Sequence, residues 1–226
     1  MCLDGLVKAN RIRHFRRRPW GLPRFMGELP SRDAGEKLAG VAMRDIYLGD
    51  SYDLVKRYWS EQLGCVAPLY AHPRFIQPSL HARFITLTTI PILDLKQLPQ
   101  TPYGLFFDPH TGIPIPDDST KKVSIAYAPL PYVAELNTEL TPQYMICFDQ
   151  SIHRKHKSGF TAEEQREAKR SYLRAKGIFS FYYISHASFL FMAQELTTLR
   201  AIRDRLIALG IPEQTPKGTR LQTIWA

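Results

Sequence analysis

The sequence predicts an α/β fold: a mostly parallel open sheet flanked by helices and preceded by a basic, irregular N-terminal arm. Three observations predict it. Between Tyr144 and His186, an apolar run (Tyr144 to Phe148) leads into Asp149-Gln150-Ser151, a basic loop, a helical stretch and a second apolar run (Phe179 to Ile184) that closes on Ser185-His186. That is the order of a strand, a helix and a strand. Earlier, Ile46-Tyr47-Leu48 runs into Gly49-Asp50-Ser51 and then into helical periodicity, a strand, a turn and a helix opening a domain. Finally, 226 residues with 44% hydrophobic and 23% charged side chains suffice for one globular domain with a substantial core.

Residues 1–42 hold nine Lys/Arg against four Asp/Glu, or +5 of the net +9. Pro19, Pro23 and Pro30, with Gly21, Gly27, Gly35 and Gly40, interrupt any periodicity, which predicts an irregular arm. Within it Arg16, Arg17 and Arg18 lie among His14, Phe15, Trp20 and Phe25. Cations interleaved with rings suit phosphate contacts and base stacking, so nucleic acid is a candidate partner and a solvated tail the competing reading. Met43 stands directly before the first predicted strand, where a translation start is also expected. The predicted α/β domain spans residues 43–226.

In that domain Arg44 to Asp50 reads as a strand. Asp50-Ser51 then caps a helix whose apolar face is Leu54, Val55, Tyr58 and Trp59, with Asp53, Lys56 and Arg57 turned away and Gly64 as the stop. The β-branched run from Phe84 to Ile90 predicts a strand. Nine of the 17 prolines fall between Pro91 and Pro142, which limits regular structure there. Tyr103 to Phe107 is a short strand ending on Asp108, and Asp108-Pro109-His110-Thr111-Gly112 turns the chain. Val123 to Leu136 fits a strand and a short helix. Thr161 to Lys176 carries a capping box, with acids early and bases late. Phe179 to Met192 is expected to give one strand and a second piece after Ser185-His186-Ala187. Thr198 to Leu209 is the last helix, and the tail to Ala226 is extended.

Cys2, Cys65 and Cys147 share no close spacing. That excludes a zinc or dithiol motif and suits a reducing, cytoplasmic setting, with Cys147 a core thiol. No apolar run reaches the length of a membrane span, and the apolar stretch of an export signal does not follow Arg16-Arg17-Arg18.

The chemistry is expected where apolar strands end on acids: Asp50, Asp108 and Asp149. Carboxylates converging on one sheet edge need a cation to remain ionised, and Mg²⁺ or Mn²⁺ prefers such oxygen ligands. A metal on these acids, with His186 and Asp149 assisting proton transfer and Lys169 and Arg170 steadying phosphate charge, describes a metal-dependent phosphoesterase or nuclease-like enzyme. The alternative is a non-enzymatic nucleic-acid-binding or protein-interaction domain in which the acids are caps and turns. His153 and His156 fit a solvated basic loop better than a ligand pair. Gly49-Asp50-Ser51 also resembles the first block of the GDS-type serine hydrolases, a resemblance of three residues that implies Ser51 as nucleophile; the later Gly-x-Asn and Asp-x-x-His blocks of that family have no counterpart here.

Overall fold

A computed structural model describes residues 48–115, 126–152, 159–186 and 188–225. The arm with Arg16, Arg17 and Arg18, and the histidines His153 and His156, lie outside the described residues. Five strands form the main sheet: β1 (Leu69–Ala71), β2 (Gly104–Phe107), β3 (Tyr144–Asp149), β4 (Phe179–Ile184) and β5 (Ser188–Ala193). Their spatial order is β1-β2-β3-β5-β4. The first three are parallel, but β5 runs antiparallel to both β3 and β4. The sheet is therefore mixed rather than mostly parallel. The cause is the short connection between the paired residues Ile184 and Ser188, too short for the long crossover that a parallel neighbour needs. The expected β3–helix–β4 unit is present with β5 inserted between its strands.

Helices α1 (Ser51–Leu63), α2 (His81–Thr88), α3 (Leu130–Leu140), α4 (Ala162–Arg174) and α5 (Leu196–Ala208) complete the domain. Alternation along the strands divides the core in two. Tyr144, Ile146 and Phe148 of β3 belong to a cluster with Phe106, Trp59 and Leu63 of α1, Phe84 of α2 and Leu199, Ile202 and Leu206 of α5. Met145 and Cys147 belong to the opposite cluster, with Leu105, Phe107, Leu130 and Val133 of α3 and Leu173 of α4. Trp59 anchors the first cluster, its ring edge-on to Tyr183, Phe189 and Phe191.

Three local expectations change. Leu48 to Asp50 form a turn rather than a strand end; the rest of that expected strand lies outside the described residues. Phe84 to Thr88 are helical, because the threonine hydroxyls satisfy themselves inside α2. Thr86 donates to the Ala82 carbonyl (3.0 Å) and Thr88 to that of Phe84 (2.8 Å), which offsets the poor helix propensity of β-branched residues. Third, α1 is rotated from its expected orientation. Leu54 is 67% exposed while Asp53 and Lys56 are buried, so the inward stripe is Tyr52, Lys56, Trp59 and Leu63. The chain end forms a small hairpin, β6 (Gln214–Thr215) with β7 (Gly218–Thr219), before Leu221 bridges to Tyr183 on the outer side of β4.

Candidate functional site

The three predicted acids do not share one site. In the register of β2 and β3, Gly104 lies beside Tyr144 and Phe107 beside Cys147. Asp108 thus follows β2 level with Phe148, whereas Asp149 comes one residue later. One residue reverses the face in a pleated strand. Asp108 turns toward α1, and Asp149 turns toward α4.

On the α1 face, the strand ends and the start of α1 enclose a cavity of about 400 Å³ lined by Asp50, Tyr52, Lys56, Asp108, His110, Thr111, Phe148 and Gln150. Asp50 caps α1, its Oδ1 accepting the Tyr52 and Asp53 N–H groups (2.8 and 3.3 Å). Asp53 Oδ2 accepts the Gly49 N–H at 2.7 Å. Lys56 Nζ sits 2.9 Å from Asp53 Oδ1 and 2.6 Å from Asp108 Oδ2, and lies over the Phe148 ring at 5.7 Å. Burial lowers the Lys56 pKa, but the Asp108 and Asp53 carboxylates outweigh it and hold the ammonium above its ordinary range. Asp108 is held above the ordinary carboxylate range, first by burial and further by the Asp53 and Asp50 charges, against the opposing pull of Lys56. One ammonium is thus shared between two carboxylates, Asp53 and Asp108, and Asp50 adds a further acid to the cavity wall.

On the opposite face, the Asp149 carboxylate is fully engaged. Its Oδ1 accepts the Ile113 N–H (3.0 Å), the Ser151 N–H (3.1 Å) and the Ser151 hydroxyl (2.6 Å). Its Oδ2 accepts Lys169 Nζ and the Tyr182 hydroxyl, both at 2.7 Å. Burial alone would raise the Asp149 pKa; Lys169, Ser151 and the Ile113 amide reverse this and hold it below the ordinary range. Lys169 also donates to Ser151 Oγ at 2.7 Å, and the Ser151 hydroxyl lies within reach of the Ile113 carbonyl. Gly112 passes so close that a Cβ there would run into Asp149 Oδ1 and the Gln150 amide, and its φ of +110° is one that L side chains rarely adopt. These contacts tie the loop after β2 to β3, β4 and α4.

Lys169 and Arg170, expected at phosphate, are both buried. Lys169 is spent on Asp149. Arg170 donates to the Ser180 and Thr223 carbonyls (3.3 and 2.7 Å) and lies over Trp225 at 4.3 Å. His186 stands exposed past β4, its ring stacked on Tyr52 at 5.2 Å. Ser51, the first residue of α1, is exposed and does not line the cavity. The residues missed in the sequence are Lys56, His110, Thr111 and Gln150. The Lys56 signal was its i,i+3 spacing from Asp53, which matches a buried pair as well as a solvated one. Cys147 is buried, as expected, and burial pushes its thiol well up.

Among the described residues no group of three or more His, Cys, Asp or Glu is arranged to hold a metal ion. No helix among them is long and apolar enough to cross a membrane. No protein-family model, curated protein or solved structure matches the chain.

Proposed function

We propose that the chain is a divalent-metal-dependent phosphoesterase acting on nucleotide or nucleic acid, with Asp50 and Asp108 as metal ligands. The observation that carries this reading is the α1-face cavity, lined by the Asp50 and Asp108 carboxylates beside Lys56, whose ammonium is already shared between Asp108 and Asp53. Mg²⁺ needs few protein ligands, binding commonly through one or two carboxylates together with substrate phosphate oxygens. When bound, such an ion would polarise the phosphoryl group and lower the pKa of an attacking water. Lys56 holds Asp108 by its ion pair and offers positive charge to the phosphate. His110 lines the same cavity and supplies an imidazole for proton transfer. The position also fits the tendency of α/β sheets to bind ligands beyond the carboxyl ends of parallel strands.

Asp50→Asn is the sharpest test, because Asn caps a helix as well as Asp. Thermal melts of the parent with Mn²⁺ and then with EDTA should differ by roughly 5–10 °C at saturating metal. Asp50→Asn and Asp108→Asn should lose that difference and the hydrolysis of bis(p-nitrophenyl) phosphate, with Asp50→Asn keeping the parent's metal-free Tm. A parent that neither responds to Mn²⁺ nor hydrolyses the ester would sink the enzyme and leave a binding domain.

A further inference from the structure

Asp149 and Asp108 are both buried, but their acceptor capacity is filled to different degrees. A carboxylate has two oxygens with room for several donors. Asp149 has protein donors on both. Asp108 is only 5% exposed, yet its one partner among the described residues is Lys56. That ion pair is close, 2.6 Å to Oδ2, but Oδ2 is a buried atom that accepts no hydrogen bond of ordinary geometry. Lys56 is also divided, since it donates to Asp53 Oδ1 at 2.9 Å. A buried acceptor left short costs free energy, which a donor entering from the cavity recovers. The rest of the lining selects the kind of donor. Asp50 and Asp108 stand in the wall with Lys56, and Asp53 already claims part of that lysine, so the balance is negative and favours a cation. Phe148 and Tyr52 line the same cavity, tilted at 47° to each other. They form an apolar corner rather than a flat platform. Lys56 Nζ lies 5.7 Å from the Phe148 centroid, within the range at which a ring face attracts an ammonium.

We propose that the cavity binds a primary amine with an apolar body, its ammonium donating to Asp108 beside Asp50 and its body lying against Tyr52 and Phe148. This site goes beyond the phosphoesterase reading and does not depend on it. It gives the same carboxylates a second occupant, so that the amine and a metal ion exclude each other. An ammonium brings three donors and needs no completed shell of oxygen ligands, whereas Mg²⁺ demands a near-ideal octahedral one. Its charge also offsets the Asp53 and Asp50 charges that help to push Asp108 above the ordinary carboxylate range. A cavity of about 400 Å³ is in the range that holds a small organic ligand.

The test is calorimetric titration of the full chain in EDTA at neutral pH, using 2-phenylethylamine and 2-phenylethanol, which carry the same body on an ammonium and on a hydroxyl. The amine is expected to bind at least about tenfold tighter than the alcohol. Asp108→Asn should remove most of that ratio. Asp50→Asn, which keeps the cap on α1, should reduce it by about threefold. No binding of the amine, equal affinity of the two probes, or the parent's ratio kept in a folded Asp108→Asn would each overturn the site. If Asp108→Asn does not fold, an unchanged ratio in Asp50→Asn overturns it instead. The Mn²⁺ melt separates the two ideas. A parent that responds to Mn²⁺ but binds no amine keeps the phosphoesterase reading alone, and one that binds the amine without responding to Mn²⁺ keeps the amine site alone. Where both occur, saturating Mn²⁺ should weaken the amine at least about tenfold, and undiminished amine binding would overturn the shared site.

Discussion

Two Asp–Lys centres lie back to back across β2 and β3, and they are built to opposite ends. At Asp149 every approach to the carboxylate is taken by a protein donor, and the acid is held below its ordinary pKa. At Asp108 one lysine is shared between two carboxylates beside a cavity, with Asp50 adding a further charge, and the acid is held above its ordinary pKa. A buried carboxylate with all its donors inside the protein is a structural joint. One with surplus negative charge facing open space is a place for something else to bind. The comparison reverses the simplest ranking of the three strand-end acids, since the most deeply embedded one has the least chemistry left to offer.

The largest expected effect comes from unbalancing the closed centre. Asp149→Asn leaves Lys169 buried without its counter-charge and should cost about 3–5 kcal/mol, measurable by urea unfolding at neutral pH. A loss under about 1 kcal/mol would mean the two centres do not differ in kind. Next comes Gly112→Ala, which puts a Cβ against Asp149 and forces a side chain into the left-handed region. Backbone strain alone accounts for about 1–2 kcal/mol, and an unchanged Tm would show that the loop does not need to press against this carboxylate.

A pH titration of stability distinguishes the centres by sign. Asp149 is below its ordinary value of 3.8 when folded, so its contribution is full above that pH and is lost as pH falls toward the folded value. Asp108 is above 3.8 when folded, so its favourable contribution is full below that pH and is lost as pH rises through the folded value. Asp108→Asn should therefore gain on the parent as pH rises above 3.8, and Asp149→Asn should lose its deficit as pH falls below 3.8. Parallel curves for the two variants would sink the distinction. The smallest effect tests the rotation of α1 that brings Lys56 inward: Leu54→Ser, at an exposed position, should stay within about 0.5 kcal/mol of the parent, whereas a core position would cost several times that.

The strands β2, β3, β4 and β5 and the helices α4 and α5 were legible because their signals are local. Apolar runs end on turn residues, and Thr161 to Glu164 spells a capping box that forms as written. The α2 segment was misread because Thr86 and Thr88 satisfy their hydroxyls within the helix, which no propensity registers. The mixed sheet followed from a three-residue connection whose meaning depends on where β5 docks. The division of the acids turned on register. Asp108 and Asp149 both sit just past an apolar run, and only the pairing of Gly104 with Tyr144 reveals that they are offset by one residue. Asp53 and Lys56 looked like a solvated face because a polar pair that satisfies itself inside a protein has the same spacing as one in water.

The placement of β5 has a consequence for how the molecule behaves among its own copies. With β5 inside, the sheet ends on β1 and β4, and neither border is bare. Ala71 of β1 is bridged by Ile92, and the β4 backbone is met by Arg220, Leu221 and Gln222 of the chain end, through the Ile184 and Gln222 amides and the Tyr183–Leu221 bridge. An uncovered border is a template for another strand. Residues 220–222 thus act as a selvage on the weave, and a chain shortened before Arg220 would expose on β4 amides and carbonyls of the kind from which strand-to-strand aggregation starts.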